Sequence, residues 1–189
     1  MNQVLKTVDF LPDRRMEIVQ GDLTQEPVDA IVNAANAHLA HGGGVAGLIS
    51  ARGGPKVDEE SRAWVRQHGP VAHDSPAYTT AGNLPFRYIL HAVGPVWGEG
   101  GEDEKLAAAV RGSLARADEL GLVSIALPAI STGIFGFPRD RAARVILKAI
   151  EDYFSAQSGR TLKLVRVVLR DPETAQIFLR EHELGGGQR

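Results

Sequence analysis

The chain has no cysteine, which excludes disulfide frameworks, thiolate metal sites and cysteine nucleophiles. It also has no run of about 18 apolar residues, the length that a membrane-crossing helix needs. The first ten residues alternate apolar and polar side chains and form no signal-type apolar core, so a cytoplasmic protein with no membrane partner is expected. An excess of positive charge is missing too: the net charge is −2. That argues against a broad electrostatic grip on nucleic acid and leaves room only for local contacts. With 189 residues, 43% of them hydrophobic, the chain is long enough to bury one sizeable core.

Residues 4–10 and 15–20 alternate with period two and predict a hairpin turned at Pro12-Asp13. A short apolar run at 28–32 leads through an Asn- and Ala-rich stretch to Gly42-Gly43-Gly44-Val45-Ala46-Gly47, and residues 45–51 can start a helix. A polar helix is expected over 55–67, with strands at 77–80 and 88–93 around an Asn83-Leu84-Pro85 turn. Leu106, Val110, Leu114 and Ala117 then recur at helical spacing before Gly121, a natural stop. A strand at 123–127, a helix opened by Pro138 and a strand at 164–169 make a βαβ unit, which implies parallel strands and a right-handed crossover. Asp171 is placed to cap a last helix from Pro172 to about residue 183, with 185–189 a frayed tail. The expected organisation is a single domain over residues 1–184.

A second glycine-rich segment, Ser131-Thr132-Gly133-Ile134-Phe135-Gly136, follows the strand at 123–127. For either loop alone, tight turns explain the glycines as well as a ligand does. Two loops at equivalent sheet positions point to a shared cleft, because ligands of open α/β sheets bind beyond the carboxyl ends of the strands. Backbone amides converging there suit one diphosphate. GxxxxGK[ST] is absent, so the site is not a P-loop. His38 and His41 have HxxH spacing, but no third ligand accompanies them, and no metal is expected. His91 lies in a buried strand pattern and reads as hydrogen-bonded core. No GxSxG elbow surrounds Ser50 or Ser131.

Taken in order, Gly21-Asp22-Leu23-Thr24, the 28–36 segment VDAIVNAAN, the first glycine loop, the 89–95 segment ILHAVGP and the 128–136 segment PAISTGIFG make the chain resemble the macrodomains, which bind ADP-ribose and related metabolites. The resemblance runs from about Glu17 to Asp171. It implies a three-layer α/β/α sandwich with a mixed, largely parallel sheet of about six strands. It places Asp22 on the adenine amino group, with the Leu23 backbone nearby, although an aspartate here also reads as a helix N-cap. Asn36 would hold the distal ribose while Asn33 holds the loop together, and either can serve as a turn residue. Gly43, Gly44 and Val45 would line one side of the diphosphate. Ser131, Thr132, Gly133, Ile134, Phe135 and Gly136 would line the other, with Phe135 against the distal ribose. Many relatives stack an aromatic on adenine where this chain has Arg170, whose guanidinium can also stack.

The resemblance implies ADP-ribose as ligand, no required cofactor, an ADP-ribosylated macromolecule as partner and a monomeric state. Hydrolysis of ADP-ribosyl esters or O-acetyl-ADP-ribose is the expected activity. One branch of hydrolytic relatives carries an acidic residue directly after Gly-Gly-Gly-Val, where this chain has Ala46. Catalysis would instead use water held by the ligand's own phosphate, with Asn36 and Gly44 as positioning groups. A recognition module without turnover is the alternative reading, and an adenine-directed binder of nucleic-acid ends or poly(A) is a further one.

Overall fold

The computed structural model describes residues 1–10, 13–156 and 161–186. Its strands are Gln3–Phe10 (β1), Arg14–Gln20 (β2), Ala30–Ala35 (β3), Ala77–Thr79 (β4), Tyr88–Val93 (β5), Ser124–Leu127 (β6) and Leu164–Leu169 (β7). They form one sheet in the order β1-β2-β7-β6-β3-β5-β4. The inner five strands run parallel, and β1 and β4 close the edges antiparallel. The helices are Gly44–Gly53 (α1), Pro55–His68 (α2), Glu102–Glu119 (α3), Arg139–Ala156 (α4) and Pro172–Gly186 (α5). No helix among the described residues is long and apolar enough to cross a membrane.

Strand alternation sorts most buried residues into two cores, and a smaller third cluster gathers Ala35, Leu39, Val71, Ala77 and Val93. Met16, Ile18, Val32, Ile125, Leu127, Val165 and Val167 pack with the apolar faces of α3, α4 and α5. Their neighbours Val19, Ile31, Ile89, Ala126 and Val168 pack with Ile49 of α1 and Val57 of α2. The inner strands are therefore apolar on both faces, as a parallel sheet covered by helices on each side requires. The chain is a three-layer α/β/α sandwich.

Each segment expected to be a strand is one. The resemblance implies about six strands; the seventh is β1, which pairs with β2 from Gln3 to Phe10. Pro12 of the expected turn lies outside the described residues. So do residues 187–189 of the expected tail, whereas Gly185 and Gly186 belong to α5.

Two boundaries move for identifiable reasons. β3 starts later than its apolar run, because the Asp29 carboxylate accepts from the N–H groups of Val123 (2.7 Å) and Ser124 (3.1 Å) at the start of β6. It then continues through Asn33 to Ala35, opposite His91 to Val93. α3 begins before its apolar period does. Glu102, Asp103 and Glu104 occupy its first turn, where carboxylates suit the positive helix end, and Glu102 accepts from the N–H groups of Gly98 (2.9 Å) and Gly100 (3.1 Å).

Candidate functional site

A cavity of about 340 Å3 opens at the carboxyl ends of the parallel strands. Residues 21–24 after β2, 43–46 after β3, Gly94 after β5, 128–135 after β6 and 168–171 at the end of β7 form its walls. This is the crevice that a parallel sheet creates where its connections diverge.

The two glycine loops face each other across this cavity. Gly43 is the N-cap of α1 and offers no side-chain cap. The first intrahelical hydrogen bond runs from Gly47 N–H to Gly43 C=O (3.0 Å), so the N–H groups of Gly44, Val45 and Ala46 have no helical acceptor. Gly44 has φ of 59°, a left-handed conformation that glycine adopts without a Cβ penalty. In the second loop, Gly136 N–H bonds to Gly133 C=O (3.0 Å) and Phe137 N–H to Ser131 C=O (2.9 Å). Among the described residues, the N–H groups of Gly133, Ile134 and Phe135 have no acceptor. The loop is braced from outside by Trp97 N–H on Phe135 C=O (2.8 Å). Ile134 reaches over the cleft to within 3.9 Å of a Cβ placed on Gly43.

Asp22 stands at the β2 end of the cavity. Its Oδ1 accepts from Thr24 N–H (2.9 Å) and Thr24 Oγ1 (2.7 Å), and its Oδ2 accepts from Arg52 Nη1 (2.7 Å). The same Arg52 nitrogen donates to Thr24 Oγ1. Burial works to raise the Asp22 carboxyl, but the hydrogen bonds from Thr24 and Arg52 together outweigh it and hold the group below its ordinary value. The Asp22 backbone is clamped as well: Asn2 Nδ2 donates to its C=O (2.9 Å), and its N–H donates to Asn2 Oδ1 (2.8 Å). The alternative N-cap reading also describes the geometry, since Asp22 caps the 3-10 turn Leu23–Gln25.

The cavity wall brings together Asp22, Leu23, Gly43, Gly44, Val45, Arg170 and residues 131–135. Gly136 stands just outside it, as the left-handed turn residue (φ 70°) that closes the second loop. Asn36 stands outside it too. Its Nδ2 donates to Ala40 C=O (2.8 Å), and its Oδ1 accepts from the N–H groups of His38 (3.2 Å) and Ala40 (3.1 Å). Asn36 thus ties its own loop together, while Asn33, as expected, also holds the loop through His41 Nδ1 (3.3 Å). The Ser131 side chain is buried, and its Oγ has no hydrogen-bond partner among the described residues. Phe135 is half-buried in the wall. Arg170 is exposed at the rim without a hydrogen-bond or ion-pair partner among the described residues. Asp171 caps α5, accepting from Thr174 N–H (2.8 Å).

Wall residues that the sequence reading did not assign to the site include Ala129, Ile130, Val168 and Leu169, apolar side chains that their pattern does not distinguish from core. Arg52 was missed for another reason: it meets Asp22 across 30 residues of chain, and no local motif joins them.

Behind the first loop lies a chain of polar side chains. Asn33 Nδ2 donates to His91 Nδ1 (3.1 Å) and His41 Nδ1 (3.3 Å). An amide nitrogen carries only donors, so each Nδ1 accepts and each neutral ring bears its proton on Nε2. His91 Nε2 then donates to Thr79 Oγ1 (3.0 Å), and His41 Nε2 to Ser61 Oγ (2.9 Å). The two rings stack at 5.2 Å. His41 therefore has both nitrogens engaged, and no cluster suited to a metal ion exists among the described residues.

The family model of the Macro domain matches residues 32–146, more than half of the chain and both glycine loops. The chain belongs to the Macro domain family. A macrodomain of Oceanobacillus iheyensis, solved with ADP, superposes with a TM-score of 0.92 at 30% identity, over 100% of each chain. The O-acetyl-ADP-ribose deacetylase of Escherichia fergusonii is 42% identical over 88% of this macrodomain and 94% of its own length. An uncharacterized protein of Thermotoga maritima is 48% identical over 94% of this macrodomain, which spans only 30% of that longer protein.

Proposed function

We propose that this macrodomain binds ADP-ribose, with the diphosphate held between the open amides of α1 and those of the second glycine loop. The observation that carries this reading is the pair of facing amide sets, residues 44–46 and 133–135, around one cavity. Amides at a helix N-terminus favour an anion without a lysine. Asp22 accepts from the adenine amino group, and Phe135 covers the distal ribose. Titration calorimetry with ADP-ribose, ADP and AMP is expected to rank them in that order. ADP-ribose should exceed AMP by at least about tenfold, because each charge-assisted amide bond to the second phosphate is worth about 1.5–3 kcal/mol. Equal affinity for AMP and ADP-ribose would remove the diphosphate from this reading.

Turnover is favoured by one specific observation, the 42% identity to a protein named O-acetyl-ADP-ribose deacetylase. Ala46 contributes no carboxylate to the wall beside α1. The attacking water is then held by the ligand's phosphate and the first loop, with the reaction driven by positioning. Incubation with O-acetyl-ADP-ribose is expected to release acetate above the uncatalysed rate. Tight binding of ADP-ribose with no release from acetyl or carboxylate esters would leave a recognition module.

A further inference from the structure

We propose that Arg52 is a positioning residue that sets base selectivity, by holding Asp22 as an acceptor with one vacant lone pair. The inference rests on the ADP-ribose reading of the cleft and deepens it. A carboxylate offers about four lone-pair sites. Thr24 fills both sites on Oδ1 through its N–H and hydroxyl, and Arg52 fills one on Oδ2. Gln25 Nε2, at 3.5 Å, is at the limit of a hydrogen bond. One strong acceptor site therefore remains, on a carboxylate that lines the cavity, while Arg52 itself stands outside the wall.

That single site suits a purine with an N–H at its 6-position and repels one with an oxygen there. A 6-oxo base sets its own lone pair against the carboxylate, unless Asp22 turns or takes up a proton. Arg52 opposes both escapes: it ties Oδ2 in place and favours the ionised form. The Arg52 and Asp22 side chains are 41% and 27% exposed, and an ion pair so exposed adds little to stability, so removal of Arg52 leaves the fold intact.

The test compares ADP-ribose with its hypoxanthine analogue, inosine diphosphate ribose, by calorimetry on the wild-type chain and on Arg52→Ala and Arg52→Lys. Wild type is expected to prefer the adenine ligand by at least about tenfold, a difference of one hydrogen bond to a charged group. In Arg52→Ala, affinity for ADP-ribose should fall about tenfold while that for the analogue stays within about threefold, so that selectivity collapses. Arg52→Lys should recover part of the affinity but less of the selectivity, since an ammonium restores charge without the planar donor geometry. In an Asp22→Asn background, Arg52→Ala should have almost no effect on the ratio, as a residue acting through Asp22 requires. An unchanged ratio in Arg52→Ala, or an equal loss for both ligands, would overturn the proposal. Wild-type chain that binds neither ligand would overturn the reading of the cleft itself, before any variant is made.

Discussion

Gly94→Ala is expected to abolish measurable ADP-ribose binding and to lower stability by about 1–3 kcal/mol, the usual cost of overfilling a packed site. Gly94 follows β5 at the cavity wall. A Cβ there would lie 2.1 Å from Ser131 Oγ and 2.6 Å from Ile130 Cγ2, far inside contact distance, so the Ser131 and Ile130 side chains must give way and press on the second loop that carries them. That loop has little freedom to move. Ser131 already holds a left-handed φ of 68°, a strained state for a residue with a Cβ. Thr132 N–H on Ala129 C=O (3.2 Å) and Phe137 N–H on Ser131 C=O (2.9 Å) fix its position. A shift of an ångström would turn the Gly133, Ile134 and Phe135 amides away from a bound phosphate, where alignment decides the bond. Chemical denaturation and calorimetry on the variant check both parts. Adding Ser131→Gly should restore part of the affinity, because it removes the Oγ and accepts the positive φ without strain, while the Ile130 contact persists. Wild-type affinity in Gly94→Ala alone would mean that the second loop does not grip the ligand.

The fold was legible where a residue's role is local. Apolar runs, period-two or helical spacing and cap residues located each strand and α-helix, and Gly121 (φ 65°) ends α3 where a left-handed stop was expected. Boundaries drifted where polar groups act at a distance. Asp29 serves the start of β6, and nothing around residue 29 announces a partner 94 positions away. The glycine loops were legible for a related reason: open amides follow from the local chain path, which glycine marks. The two asparagines were harder. Both sit in one short motif, and only the fold decides that Asn33 turns into the sheet towards His91 while Asn36 closes its own loop. Arg52 lies at the far end of this scale, since its link to Asp22 depends wholly on how α1 returns to the sheet.

His91 is expected to make the protein lose on the order of 4 kcal/mol of stability as pH falls from about 6.5 to about 3. Its ring is fully buried, and burial first, then the neighbouring His41, pushes its pKa from 6.5 down to about 3. The sign follows from proton uptake. Below 6.5 the unfolded chain binds a proton that the folded chain excludes, so acid favours unfolding until the folded ring itself titrates near 3. Burial lowers His41 as well, partly countered by Asp58, and this adds in the same direction. Asp22 and Asp171, both held below their ordinary value, extend the loss below about pH 4. Glu26, raised by its burial, opposes it weakly. Urea denaturation at pH 7, 5.5 and 4 should thus give a steep acid limb for wild type. His91→Gln should start lower at pH 7 by about 1–3 kcal/mol, having lost ring packing and a buried hydrogen bond, yet fall less between pH 6.5 and 4. A parallel decline in the two proteins would place the acid sensitivity elsewhere.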